Sequence, residues 1–166
     1  MKTALVTGAT GKIGPLLVAE LLRQKFKIRI LLKRRPTNFI PISPTDVEIF
    51  YGDITDYSSV FAAVSGVDYV FHLAALLHIN NPPPSMYDLY HDVNVIGTQN
   101  IIEASFRSGV ERVVFFSTIS VYGAGLPGQI FYETSQARPM TIYAQTKLLA
   151  EKKVLVESSL FNKSID

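Results

Sequence analysis

Residues 2–14 read KTALVTGATGKIG, an apolar run that leads directly into a turn punctuated by three glycines. Uninterrupted aliphatic residues such as Ala4, Leu5 and Val6 are typical of a parallel strand that is buried on both faces. An apolar pattern with helical spacing continues after the turn as far as residue 22. This order of strand, glycine turn and helix is the local arrangement in which proteins hold the pyrophosphate of a dinucleotide at a helix N-terminus.

Each glycine of this turn has a predicted role. Gly8 permits the tight turn, Gly11 lets backbone N–H groups approach a phosphate, and Gly14 lets the helix pack closely on the strand. The spacing is Gly-x-x-Gly-x-x-Gly rather than the more familiar Gly-x-Gly-x-x-Gly, so an ordinary turn is the competing interpretation. The flanking strand and helix, with Pro15 in the first helical turn, favour the dinucleotide interpretation.

Length and composition exclude several classes of protein. With 166 residues, 48% of them hydrophobic and 11% aromatic, the chain is long enough for one globular domain with a core. A formal net charge of +2 is too small to indicate binding to nucleic acid or to a membrane. The absence of cysteine excludes disulfides and thiolate chemistry and agrees with a cytoplasmic protein. The histidines lack metal-ligand spacing, so we expect no metal site.

Strand-like and helix-like segments alternate along the rest of the chain. We predict further strands at 26–32, 47–51, 69–74 and 113–117, and helices at 56–64, 85–108 and 141–161. Such alternation predicts an α/β fold, a doubly wound parallel sheet of the Rossmann type with helices on both faces. Right-handed crossovers then give the strand order 3-2-1-4-5.

Ligands of open parallel sheets bind beyond the carboxyl ends of the strands, and the chemically distinctive residues of this chain fall at those ends. The glycine turn follows strand one, Lys33-Arg34-Arg35 follow strand two, Gly52-Asp53 follow strand three, Ala74-Ala75 follow strand four, and Ser117-Thr118 follow strand five. We therefore expect a single site along this edge of the sheet. His72, within strand four, is expected to be a hydrogen-bonded core histidine rather than a catalytic base.

The basic residues after strand two bear on the choice of cofactor. A carboxylate there would bind the adenosine ribose hydroxyls of NAD, whereas cations neutralise the 2′-phosphate of NADP. Lys33, Arg34 and Arg35 have no acid near them in the sequence, and Lys12 of the glycine turn can contribute to the same phosphate. NADP is therefore favoured over NAD. The alternative is a solvated loop that carries charges without a partner.

Tyr143 and Lys147 lie four residues apart in the last predicted helix, so their side chains share one face. An ammonium close to a phenol favours the phenolate and lowers the pKa of the tyrosine towards the range useful for proton transfer. A surface tyrosine beside a solvated lysine is the competing interpretation. The order along the chain, with the glycine turn first and a hydroxyl cluster before the pair, favours the catalytic one.

At this point the chain resembles a known family, the extended short-chain dehydrogenases/reductases, in the branch of the NAD-dependent epimerases/dehydratases. The resemblance covers nearly the whole chain. The matching segments are Thr7–Gly14, Gly52–Asp56, His72–Ala75, Asn94–Asn100, Phe116–Gly123 and Tyr143–Lys147. Several motifs in the right order are far more specific than any one of them.

The resemblance implies the roles of individual residues. Tyr143 would act as general acid/base on a substrate hydroxyl or carbonyl, Thr118 would hydrogen-bond the same oxygen, and Lys147 would hold the nicotinamide ribose and lower the pKa of the tyrosine. Hydride would pass between the substrate carbon and the nicotinamide C4. The implied cofactor-binding residues are Gly8, Thr10, Gly11, Lys12, Ile13 and Gly14 in the turn, Lys33, Arg34, Arg35, Asp53 and Ile54 on the adenine side, and Ala74, Ala75, Asn94, Tyr143 and Lys147 on the ribose and nicotinamide side.

The family's longer chains continue beyond the last helix into a sixth strand and a substrate domain. We therefore expect residues 1–166 to be the NAD(P)-binding domain alone, with the C-terminal substrate domain absent. Two functions stay open: an NAD(P)-dependent oxidoreductase, epimerase or dehydratase acting on a sugar nucleotide or another carbonyl or alcohol substrate, or a dinucleotide-binding module or fragment without turnover. The two long helices after strands four and five, as in the family, predict a homodimer.

Overall fold

A five-stranded parallel sheet forms the centre of the molecule. The computed structural model describes residues 1–34, 45–77 and 82–161, and within these ranges the strands are β1 (Thr3–Thr7), β2 (Lys27–Leu32), β3 (Val47–Tyr51), β4 (Tyr69–His72) and β5 (Arg112–Phe115). Every neighbouring pair is parallel, and the strand order is β3-β2-β1-β4-β5. The predicted fold class and strand order are therefore confirmed.

Helices connect these strands at nearly the predicted places. Within the same ranges they are α1 (Gly14–Arg23), α2 (Tyr57–Val64), α3 (Tyr87–His91), α4 (Gly97–Arg107) and α5 (Ile142–Phe161), with short 3-10 turns at Pro84–Met86 and Ile119–Tyr122. The single helix predicted over 85–108 is segmented, because a π-helical turn at Asp92–Ile96 separates α3 from α4. None of the helices in the described part of the chain combines the length and apolarity that a bilayer crossing requires.

Local sequence signals account for the limits of α2. The carboxylate of Asp56 accepts hydrogen bonds from the backbone N–H groups of Ser58 and Ser59, at 3.1 and 3.3 Å, which is the usual arrangement of an N-cap aspartate. Gly66, just beyond the helix, has φ +73°, a left-handed conformation that favours glycine. Both ends agree with the prediction from the sequence.

Alternate residues of β1 face two separate cores, one on each side of the sheet. Ala4 and Val6 pack with α1, whereas Leu5 packs with α2, α4 and α5. All three side chains are 0% exposed. The helices therefore cover both faces of the sheet, as predicted.

The packing of α4 positions the site described next. This helix lies between α2 and α5, and its residues Ile101, Ile102 and Ala104 are completely buried. The π-helical turn before α4 contacts α5 as well. The first half of α5 is thereby held beside the carboxyl ends of β4 and β5.

Candidate functional site

The glycine turn between β1 and α1 is built around Gly8. Its φ is +71°, and a Cβ at this position would lie 2.7 Å from the backbone nitrogen of Ala74. Both the conformation and the close approach to the end of β4 therefore require glycine. Gly8 thus makes the tight turn that the sequence predicts and also brings the turn against the neighbouring strand.

The other two glycines act differently from the prediction. The N–H of Gly11 donates to the carbonyl of Gly8 at 3.0 Å, so this group closes the turn. A Cβ on Gly14 would lie 2.5 Å from the backbone of Ala9, so the close packing is between the helix start and the turn rather than the strand. Glycine is therefore required at position 14, whereas a Cβ on Gly11 would lie 3.3 Å from the carbonyl oxygen of Gly8, a tight contact.

The N-terminus of α1 is open to solvent. Thr10, Lys12 and Ile13 are exposed, and Ile13, as the N-cap residue, offers no side-chain acceptor for the first N–H groups of the helix. Unsatisfied N–H groups at a helix start attract anions, because they carry the positive end of the helix dipole. The turn therefore offers donors where a phosphate of a dinucleotide is expected.

The basic residues after β2 are less free than the sequence indicates. The end of β3 brings Asp53 next to Lys33, with 2.7 Å between the ammonium and a carboxylate oxygen. Partial burial raises the pKa of Asp53, but hydrogen bonds from Lys33 and Thr55 outweigh it, so that the pKa lies below its ordinary value. Arg34 is exposed, and Arg35 lies outside the described residues. The carboxylate of Asp53 therefore lies next to Lys33 in the fold, although no acid is near these basic residues in the sequence.

Ile54, in the segment after β3, is anchored to α4. Ile54 is only 9% exposed. Its side chain packs against Gly97, where an added Cβ would lie 2.7 Å from it. The amide of Asn100 donates to the carbonyl of Ile54 at 2.9 Å. Sequence reasoning gave Gly97 and Asn100 no role, although both belong to the segment that carries the family resemblance.

Asn94 connects two parts of the site and is 1% exposed. Its side-chain oxygen accepts from the N–H of Leu76 at 2.7 Å, and its amide nitrogen donates to the carbonyl of Leu76 at 3.2 Å and to the hydroxyl of Thr146 at 3.0 Å. Leu76 continues the segment that begins with Ala74 and Ala75. In this geometry Asn94 positions that segment against α5, and its amide is engaged within the protein.

Thr118 and Tyr143 meet as the sequence predicts. Thr118 caps the 3-10 turn after β5, accepting from the N–H of Ser120 at 3.2 Å. Its side chain lies close enough to Tyr143 to act on the pKa of the phenol, in the lowering direction. Thr141 caps the start of α5 by accepting from the N–H of Ala144 at 3.1 Å. The neighbouring hydroxyl of Ser117 is engaged with Glu151 instead. Thr118 is therefore the hydroxyl of this cluster that lies at Tyr143.

The pKa of Tyr143 differs from the expectation. Partial burial raises it, and the hydrogen bond from Thr118 offsets only part of this effect, so the pKa lies above the usual value for tyrosine. The predicted lowering by Lys147 is not observed in this structure. The reason lies in where the ammonium of Lys147 is directed.

Lys147 is 2% exposed. Its ammonium donates to the carbonyl of Phe116 at 2.7 Å and lies 4.0 Å from the centre of the Phe115 ring, a cation–π contact. Burial lowers the pKa of Lys147 to about 8, against an opposing effect of Glu151. The site therefore holds a buried cation at the carboxyl end of β5, one turn of α5 beyond Tyr143.

Across the residues that the structure describes, no group of three or more histidine, aspartate or glutamate side chains converges on one point. The polar groups along the edge include amides, hydroxyls and cations, which can bind an anionic organic ligand, and the carboxylate of Asp53, which pairs with Lys33.

The fold and much of the sequence have counterparts among known proteins. A profile of the NAD dependent epimerase/dehydratase family matches residues 4–160. The chain belongs to this family. This family member is 35% identical over 158 residues to sterol demethylase protein B of Methylococcus capsulatus, covering 94% of this chain and 47% of that protein.

Further similarities extend to other members and to solved structures. The 3 beta-hydroxysteroid dehydrogenase/Delta 5-->4-isomerase of Mycobacterium tuberculosis is 35% identical over 165 residues, which cover 94% of this chain and 43% of that protein. MoeE5, solved in complex with UDP-glucose and NAD, is 32% identical with a TM-score of 0.83, covering 99% of this chain and 52% of that one. This family member thus spans about half the length of the proteins that it matches.

Proposed function

We propose that this chain binds a nicotinamide dinucleotide along the carboxyl edge of its sheet and provides an acid/base group for hydride-transfer chemistry on an alcohol or carbonyl. The pairing of the Thr118 side chain with Tyr143, close enough for the hydroxyl to lower the pKa of the phenol, carries this proposal. It joins a hydroxyl after β5 to a phenol at the start of α5, beside the buried cation of Lys147. A protein that only held a dinucleotide would have no need of this pair.

The residues of the edge fit a dinucleotide. The turn at Gly8 approaches the backbone of Ala74 so closely that a Cβ would lie 2.7 Å from it, and the absence of a Cβ lets the turn and the end of β4 lie side by side. The start of α1 offers N–H donors for the pyrophosphate. Asp53 lies at the end of β3, where an adenosine is expected. When bound, the dinucleotide supplies the hydride donor or acceptor at the nicotinamide C4.

Tyr143 exchanges a proton with the substrate oxygen in this proposal. Its raised pKa keeps the phenol protonated at neutral pH, so it donates a proton to a carbonyl oxygen, while the hydroxyl of Thr118 hydrogen-bonds the same oxygen. In the opposite direction the phenolate accepts the proton of the alcohol. Lys147 has three N–H donors, of which the carbonyl of Phe116 takes one, and the nicotinamide ribose is the proposed partner of the others.

The proposed substrate is a sugar nucleotide or another compound with a carbonyl or secondary alcohol. The names of two relatives describe sterol or steroid enzymes, and MoeE5 was solved with UDP-glucose. Hydroxysteroids and UDP-glucose both contain alcohol groups. The competing function is a dinucleotide-binding module without turnover.

NADP is the proposed cofactor in preference to NAD. Lys33 and Arg34 lie where a 2′-phosphate would be held, and Arg35 follows them in the sequence. The ion pair between Lys33 and Asp53 does not oppose this, because the Lys33 side chain is 72% exposed and such pairs contribute about 1 kcal/mol or less. A phosphate dianion can therefore replace the carboxylate as the partner of Lys33.

Titration of the purified chain with NADPH and NADH, followed by nicotinamide fluorescence and thermal stability, tests both proposals. We expect both to bind and NADPH to bind more tightly. Arg34→Ala should lower the affinity for NADPH by about tenfold or more, because a hydrogen bond to a charged group contributes about 1.5–3 kcal/mol. The affinity for NADH should stay unchanged. Arg107→Ala, which removes an exposed arginine of α4, is the matched control. If neither NADPH nor NADH binds, the proposed function is contradicted.

We further propose a homodimer formed through the long helices. Because α4 is buried between α2 and α5, the surface available for this contact lies on α3 and α5. Leu89, Leu149 and Leu155 on these helices are 49%, 36% and 68% exposed. Burial of such side chains is the main favourable contribution to association.

A further inference from the structure

A chain of hydrogen bonds runs through the core from the end of β1 to the π-helical turn. The hydroxyl of Thr7 lies 2.7 Å from Nδ1 of His72, whose Nε2 lies 3.0 Å from the hydroxyl of Thr98. Thr98 in turn donates to the carbonyl of Asn94 at 2.7 Å. None of these four residues is more than 1% exposed. His72 is thus a hydrogen-bonded core histidine, as predicted from the sequence.

The positions of the protons in this series of hydrogen bonds follow from the partners at its two ends, Ala74 and Asn94. The hydroxyl of Thr98 uses its proton for the carbonyl of Asn94, so it must accept from Nε2–H of His72. The hydroxyl of Thr7 accepts from the N–H of Ala74 at 3.2 Å, and its own proton is satisfied by Nδ1. A neutral ring with the proton on Nε2 satisfies every one of these groups. The opposite tautomer would leave the proton of Thr7 without this acceptor.

The same ring adjoins the buried cation of the site. The rings of His72 and Phe115 are stacked, with 5.9 Å between their centres, and the ammonium of Lys147 lies 4.0 Å from the centre of Phe115. A second positive charge so close to Lys147 would be unfavourable in a region shielded from water. A neutral His72 avoids this repulsion.

We propose that His72 is a positioning residue: its neutral ring couples Ala74, at the carboxyl end of β4, to the helix that carries Asn94. Asn94 extends the coupling to Leu76 and to Thr146, the residue before Lys147. His72 therefore sets the geometry of the nicotinamide half of the site without touching a ligand. This inference rests on the proposed function, that a dinucleotide binds along this edge.

The adenine half has contacts of its own. Asp53 is held by Lys33 and by the N–H of Thr55, and Ile54 is held by Asn100. Loss of the hydrogen bonds of His72 should therefore weaken the binding of a complete dinucleotide. The binding of a ligand that has only the adenine half should be unchanged. This difference separates a positioning role from a merely structural one.

The test compares affinities for NADH, NADPH and ADP in the whole chain and in variants, by calorimetry. His72→Phe removes both hydrogen bonds, and Thr98→Val removes one with little change of shape. We expect each variant to lower the affinity for both dinucleotides by about tenfold or more. The affinity for ADP should change by less than about twofold. Thr98→Ser, which retains the hydroxyl, should restore dinucleotide affinity. Should His72→Phe fail to fold, the two Thr98 variants carry the comparison.

Ser105→Ala is the matched control. It removes a completely buried hydroxyl of the same helix, which donates to the carbonyl of Ile101 at 2.6 Å, and should leave all three affinities unchanged. Equal losses for ADP and the dinucleotides, or no loss for either, would overturn the inference while the proposed function stood. A wild-type chain that binds neither dinucleotide would overturn the proposed function first. Long-range nitrogen-15 NMR of the wild-type ring should show a proton on Nε2, and a proton on Nδ1 at neutral pH would also overturn the inference.

Discussion

Burial of His72 makes the stability of the protein depend on pH. Burial, with a smaller effect of the charge on Lys147, lowers the pKa of His72 from 6.5 to about 3. Between these two values the unfolded chain binds the proton and the folded chain does not. The free energy of unfolding should therefore fall as the pH decreases from 6.5 towards 3, by up to about 1.4 kcal/mol per pH unit from this group. Above pH 6.5 this effect is absent.

Denaturant unfolding at a series of pH values measures this dependence. The carboxylates titrate in the lower part of the same window, so the wild-type chain is compared with His72→Phe, which lacks the ionisable ring. The variant should show a shallower decline between pH 6.5 and 5, where few carboxylates titrate. An identical decline in both proteins would show that His72 contributes nothing to it.

Tyr143 is the residue on which turnover should depend. Tyr143→Phe removes the hydroxyl that exchanges a proton and leaves the ring, so dinucleotide affinity should stay within about twofold while turnover falls by about 100-fold to 10,000-fold. Steady-state kinetics with any substrate that the wild-type chain converts provides the measurement. Tyr122→Phe is the control, because Tyr122 is stacked on Phe131 and lies outside the proposed machinery. Retained turnover in the Tyr143 variant would refute the acid/base assignment.

Single residues show where sequence reasoning succeeds and where it stops. The spacing of Tyr143 and Lys147 placed both in one helix, and the resemblance selected Thr118 from its neighbouring hydroxyls. Neither could show that the ammonium of Lys147 donates to the carbonyl of Phe116, since this contact joins residues far apart in the chain. The ion pair between Lys33 and Asp53 depends in the same way on the pairing of two strands.

At the scale of elements, the start of α4 depends on a glycine. A Cβ on Gly97 would lie 2.7 Å from the side chain of Ile54, which is itself packed in the core. Gly97→Ala gains helix propensity of about 1 kcal/mol but overpacks this contact at a cost of about 1–3 kcal/mol. We expect a net loss of about 1 kcal/mol in the free energy of unfolding, measured with denaturant.

The double variant Gly97→Ala with Ile54→Val tests the cause of this loss. Ile54→Val removes Cδ1, one of the two atoms of Ile54 that lie less than 3 Å from the new Cβ. The overpacking is then partly relieved, so the combined loss should be smaller than the sum of the two single losses. Strict additivity would mean that the contact between these two side chains is not the source.

Some features of the helices can be predicted from the local sequence, and others cannot. Apolar periodicity, the cap at Asp56 and the glycine at 66 are local signals, and they predicted α2 well. The π-helical turn at Asp92–Ile96 has no such signal. It accompanies hydrogen bonds from Asn94 to Leu76 and Thr146, and these partners become neighbours only when β4 and α5 have packed together.

For the whole molecule, the homodimer proposal makes a direct prediction. Size-exclusion chromatography with light scattering should give twice the mass of the 18.4 kDa chain. Leu155→Glu places a charge among the exposed apolar residues of α5 and should shift the protein to a monomer. Leu126→Glu, at a side chain 77% exposed in the loop after β5, is the control and should leave the mass unchanged. A monomeric wild-type chain would refute the proposal.

The strand order has a consequence for how the protein is made. Because β1 is central, β2 and then β3 add outward on one side of it, after which β4 and then β5 add outward on the other. Each strand leaving the ribosome thus finds its partner already synthesised, and a chain made from its N-terminus can assemble the sheet without waiting for a later segment. The glycine turn proposed to hold the pyrophosphate directly follows β1, the first strand to be made. Thr118 and Tyr143 emerge last, so the groups proposed to carry out the chemistry are added to a scaffold that the earlier strands have already formed.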